Sequence, residues 1–210
     1  MQLLLEAGAD VSGEQGVEAL STCASHDNTE RFDLLQEFGA QASPWMLVKA
    51  GLSDRVVALI DEDPALLSQT DDDGYTLLQA AAKRMKADGF ERLPEAGRRM
   101  AGAMIERGAE VDIYVASSLG DLERAKSLVE ELGYPTPPVD RPLRPVHFTR
   151  PYRDPIGAAA RGGHVDVVRY FLEQAGDDPT EFFSAEGFSI ACSFAALAGS
   201  AETVRLLLDA

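Results

Sequence analysis

Cysteine is nearly absent from this chain: Cys23 and Cys192 are the only two in 210 residues. That is too few for a disulfide framework and fits a reducing compartment. Long apolar runs are missing as well, none approaching the roughly 18 residues needed to cross a bilayer. Met1 to Leu5 lacks the basic flank and extended apolar stretch of a secretory leader, so a cytoplasmic protein with no membrane contact is expected. Positive charge is scarce, with 19 Lys and Arg against 35 Asp and Glu and a net charge of −16. Affinity for phosphate backbones comes mainly from Lys and Arg releasing counterions, so no nucleic acid is expected and a basic partner is favoured. An acidic surface also keeps proteins apart without any partner, and the charge alone leaves both readings open.

Reactive constellations are sparse too. His26, His147 and His164 stand far apart, and none has a metal-ligand spacing to Cys, Asp or Glu. No Gly-rich phosphate loop follows a strand, and no Gly-x-Ser-x-Gly occurs. Asp71-Asp72-Asp73-Gly74 lacks the alternating register and the later Glu of a calcium loop. The expectation is a protein that is not an enzyme, with no catalytic residue, no metal and no cofactor.

What the chain does have is a recurring unit. Its clearest copy runs from Arg153 to Gly176: a proline turn at Asp154-Pro155, a small-residue helix around Ala158 to Arg161, a Gly-Gly-His break, then an apolar stripe through Val167, Val168 and Phe171. Equivalent break positions are Asp27, Gly51, Met85, Gly120, Gly163 and Gly199, spaced by 24, 34, 35, 43 and 36 residues. Asp154-Pro155-Ile156, Ala159-Ala160, Gly163-His164 and Val167-Val168 together resemble the ankyrin repeat, whose period is about 33 residues. Gly157 departs from that pattern by replacing the usual His, a loss of one side-chain hydrogen bond to the neighbouring turn.

The resemblance implies an all-α ankyrin-repeat solenoid of stacked helix-turn-helix units with short or irregular hairpin fingers, of a degenerate form common in bacteria. A single domain is expected over 1–210: a half repeat at 1–11, units at 12–41 and 42–70, a unit at 71–112 with an inter-helix insertion, one at 113–150 with a Pro/Arg-rich finger insertion, then 151–187 and 188–210. Cys23 and Cys192 fall near opposite ends of such an array, too far apart to bridge. The half repeat at the start and the missing polar helix at the end leave two readings open: the array continues in a longer parent, or uncapped ends of neighbouring chains associate end to end.

Proteins of this family bind other proteins through finger tips and the concave face of the first helices, so another protein is the expected partner. Asp71, Asp72 and Tyr75 flank the hairpin tip formed by Asp73-Gly74. Trp45, the only tryptophan, is read either as a binding anchor or as packing between units. Residues Tyr134 to Pro155 hold seven of the eleven prolines, and four arginines against two aspartates make the segment +2, leaving −18 for the rest. Such a segment excludes a helix. Arg144, Arg150 and Arg153, interleaved with His147, Phe148 and Tyr152, could grip an acidic or phosphorylated ligand, or pair with the chain's own carboxylates.

Overall fold

A computed structural model describes residues 2–26, 28–84, 94–132, 154–175 and 185–210. The architecture is all-helical. Among the described residues no strand forms, and Thr70 and Thr76 make an isolated antiparallel bridge. In chain order the helices are α1 (Gln2–Glu6), α2 (Glu14–Ser25), α3 (Thr29–Glu37), α4 (Pro44–Lys49), α5 (Ser53–Glu62), α6 (Leu77–Arg84) and α7 (Pro94–Glu106). They continue as α8 (Ile113–Leu119), α9 (Leu122–Leu132), α10 (Pro155–Gly162), α11 (Val165–Ala175), α12 (Ala185–Leu197) and α13 (Ala201–Asp209). A short 3₁₀ turn, Pro64–Ser68, follows α5.

Helices this short need defined ends, because their first N–H groups have no partner within the helix. Side chains supply them. Ser43 Oγ accepts from Met46 N–H at 3.3 Å, Asp112 Oδ1 from Val115 N–H at 2.8 Å, and Asp154 Oδ1 from Ile156 N–H at 3.0 Å. Pro44 and Pro155 stand at the first position of their helices, where the missing N–H costs nothing.

The turns repeat one geometry. Gly51, Gly120, Gly163 and Gly199 all take φ between 71° and 74°, a conformation that only glycine adopts cheaply. After each, the next N–H reaches back five residues: Leu52 to Leu47, Asp121 to Ala116, His164 to Ala159 and Ser200 to Ala195, at 2.9 to 3.1 Å. Asn28 makes the same bond to Cys23 at 3.0 Å without a glycine, and its side chain caps α3 through Arg31 N–H. Of the other two break positions, Asp27 and Met85 lie outside the described residues.

The chain divides into two compact units, Met1–Ala81 with Glu95–Ala109, and Ala82–Pro94 with Glu110–Ala210. In the first, α2 packs on α3 and on α4, and α4 on α5. Leu20, Phe32, Leu35, Val56, Ile60 and Met100 are buried there. Its second helices are tied by charge. Arg55 of α5 meets Asp33 of α3 at 2.7 Å, and Arg107, one residue past the end of α7, grips Asp61 of α5 with two bonds, Nε to Oδ1 at 2.7 Å and Nη2 to Oδ2 at 3.2 Å. That fork lowers the pKa of the Asp61 carboxyl and raises that of Arg107.

In the second unit, first helices pack in the order α8, α10, α12 and second helices in the order α9, α11, α13. Ala116, Ala159, Ala160, Ala191 and Ala195 are wholly buried, and side chains this small let the first helices approach closely. Phe171 of α11 fills the layer behind them, worth about 1.5–3 kcal/mol relative to exposure in water. Every residue of α10 from Pro155 to Arg161 is buried.

Phe38 is the C-terminal cap of α3 and is 41% exposed, while Phe32 and Leu35 form the buried stripe of that helix. Cys23 is buried but Cys192 only partly so, and burial raises the pKa of both free thiols, which keeps them protonated.

Candidate functional site

The loop from Thr70 to Thr76 is the best-formed projecting feature of the first unit, and its bonds follow from its aspartate and glycine. Asp71 organises it. Its carboxylate accepts from Tyr75 N–H at 2.7 Å, its carbonyl from Gly74 N–H at 2.8 Å, and its own N–H donates to the Tyr75 carbonyl at 3.0 Å. Gly74 takes φ 75° at the tip. The loop then runs into α6 through a reciprocal cap, in which Thr76 N–H donates to Gln79 Oε1 at 3.0 Å and Gln79 N–H to Thr76 Oγ1 at 3.2 Å. Threonine followed three positions later by glutamine is the capping-box spacing, a signal in the sequence that points to Gln79 as a support of this loop.

Trp45 joins the same place from α4. Its indole Nε1–H donates to the Tyr75 carbonyl at 2.8 Å, so that oxygen receives two bonds and the loop is held from both sides. Trp45, Asp71, Asp72 and Tyr75 are therefore brought together, although 30 positions separate Trp45 from Tyr75. Their roles differ. The Tyr75 side chain is 4% exposed and belongs to the interior, Asp71 is spent on the loop, and Trp45 is half-buried. Asp72 and Asp73 are exposed at the tip. The chemistry on offer is thus the Asp72 carboxylate on a braced loop beside a partly covered aromatic ring, suited to cationic side chains.

Arg144, His147, Phe148, Arg150, Tyr152 and Arg153, nominated from the Pro/Arg-rich segment, lie outside the described residues. Of the histidines that are described, His26 Nδ1 stands 2.9 Å from the Thr22 carbonyl and His164 Nε2 3.0 Å from the Ser118 carbonyl. Among the described residues no three His, Cys, Asp or Glu side chains converge in a way that could hold a metal ion. No described helix is long and apolar enough to cross a membrane.

Arg161 carries a signal that residue patterns did not flag. It is the only charged side chain buried among the described residues, at 4% exposure. Arginines just before a glycine turn commonly read as solvated helix ends, and only the packing of α10 between α8 and α12 reveals otherwise.

The class these features define is an all-helical protein of turn-linked helix pairs. No protein-family model matches the chain, and no match was found among curated proteins.

Proposed function

We propose that the chain is a repeat protein of the ankyrin type and works as a non-catalytic module that binds another protein through its loop tips and first-helix face. The observation that supports this reading best is the recurrence of one turn geometry at Gly51, Gly120, Gly163 and Gly199, each joining a short first helix to a second. Units of that kind bury their apolar faces only against neighbours and leave loops for recognition. On this reading Asp72 and Asp73, braced by Asp71 and Trp45, meet basic side chains of a cytoplasmic partner. The Arg144 to Arg153 segment supplies a second, oppositely charged contact.

The net charge of −16 favours a more specific version, an acidic inhibitor or immunity-type protein that neutralises one basic toxin or enzyme. Capture from a cytosolic extract at low and high salt separates the two. Several partners lost gradually with salt fit a general module, and one basic partner retained at high salt fits the inhibitor. Recovery no better than that of an unrelated acidic protein of equal charge, or recovery unchanged by Asp72→Lys with Asp73→Lys, overturns both.

A further inference from the structure

Among the described residues, the interior of the second unit contains a charge without a counterion. Arg161 sits near the C-terminal end of α10, with its guanidinium carbon 3.8 Å from the ring centroid of Phe194 on α12. Its Nη1 makes one long bond, 3.5 Å, to the Tyr114 hydroxyl on α8. Nε is buried and has no hydrogen-bond partner. A guanidinium does not lose its proton at any ordinary pH, so this is a buried cation and not a neutral donor.

Six other cations among the described residues are treated differently. Arg55, Arg99, Arg107, Arg124, Lys126 and Arg169 each meet a carboxylate although all are more exposed. In a protein with 35 acidic residues, the side chain that most needs an anion lacks one among the described residues. Taking a charge out of water is costly, and one aromatic face returns only part of that cost.

We propose that Arg161, framed by Tyr114 and Phe194, is a receptor for a carboxylate. Phe194 covers a face of the guanidinium and Tyr114 takes Nη1, so the edge formed by Nε and Nη2 is the one left for an acceptor. That edge presents two parallel N–H groups with the spacing of a carboxylate's oxygens. The ligand is either a small organic acid or the side chain of an acidic residue on a polypeptide. This inference does not depend on the module reading above.

The experiment is a titration of the wild-type protein with sodium acetate, followed by the Arg161 Nε–H resonance in nitrogen-15 NMR, with sodium chloride at equal ionic strength as the control. Arg161→Lys assigns the resonance by its loss. The expected result is a saturating shift with acetate and none with chloride. In thermal melts, acetate-specific stabilisation should weaken at least about tenfold in apparent affinity in Arg161→Lys, which keeps the charge but loses the fork. Tyr114→Phe leaves the Nε edge intact and should keep the response. A capped glutamate tripeptide in a parallel arm identifies the source: tighter binding than acetate marks a polypeptide ligand, and weaker binding a small acid. A resonance unmoved by both acids, or moved equally by chloride, overturns the proposal.

Discussion

His164, in the turn after α10, holds its Nε2 3.0 Å from the carbonyl of Ser118 on α8, and so ties one helix pair to the preceding one. Its ring lies between two glycines. A Cβ placed on Gly120 would sit on the ring from one side and a Cβ on Gly162 from the other.

This arrangement separates two reasons for glycine. Gly163 has φ 71° with open space around it, so Gly163→Ala should cost only the left-handed strain of about 1–2 kcal/mol. Gly120→Ala adds overlap with the pinned His164 ring and should cost about 1–3 kcal/mol more. Urea unfolding followed by circular dichroism measures both. Equal losses for the two variants would show that the ring moves aside freely.

Gly157 presents the opposite case. A Cβ there would meet Phe194 at 3.7 Å and the Asp154 Cβ at 3.9 Å, ordinary contact distances, and its backbone is helical. Gly157→Ala should therefore raise stability by about 0.5–1 kcal/mol through lower unfolded-chain entropy and one added contact. Equilibrium denaturation reads this directly, and a loss of stability would mean that Phe194 is packed more tightly than its distances indicate.

Asp154 makes stability depend on pH. Burial pushes its carboxyl up to about 6, against the opposing pull of the Ile156 and Gly157 N–H groups. A carboxyl raised in the folded state binds its proton more strongly there than in the unfolded chain, so its contribution is present below about pH 4 and fades as pH climbs to about 6. The span corresponds to on the order of 3 kcal/mol. Asp154→Asn keeps an acceptor for Ile156 N–H without the charge. It should match the wild type near pH 4 and exceed it at pH 7, as thermal melts across that range would register. A variant less stable than wild type at pH 7 would contradict the assignment.

Trp45→Phe removes the bond to the Tyr75 carbonyl while leaving most of the ring's packing. A loss of about 1 kcal/mol is expected, because that oxygen keeps the Asp71 N–H as a second donor. Circular dichroism in urea supplies the number. A change below a few tenths would show that the loop does not rely on the indole.

The turns were the most legible part of the sequence. Gly51, Gly120, Gly163 and Gly199 can be picked out as the breaks between helical stretches because a left-handed turn strongly favours glycine. Gly162 was not legible in the same way, since its need for space comes from the His164 ring turned toward the Ser118 carbonyl on α8, which the local sequence does not encode. Asp71, Asp72, Tyr75 and Trp45 were named separately, from a turn motif and from the rarity of tryptophan, and only the fold joined Asp71 and Trp45 at the Tyr75 carbonyl. Arg161 went unnoticed because its burial depends on α8 and α12, which periodicity within α10 does not encode.

Three of the steps between neighbouring second helices, α3 to α5, α5 to α7 and α11 to α13, are matched by different sets of charges. Asp33 receives Arg55, Asp54 and Asp61 receive Arg99 and Arg107, and Glu202 receives Arg169. A shared turn thus does not make the modules exchangeable parts. Excising one pair, or reordering two, would leave guanidinium groups opposite the wrong neighbour, so each module carries the address of its own place in the chain.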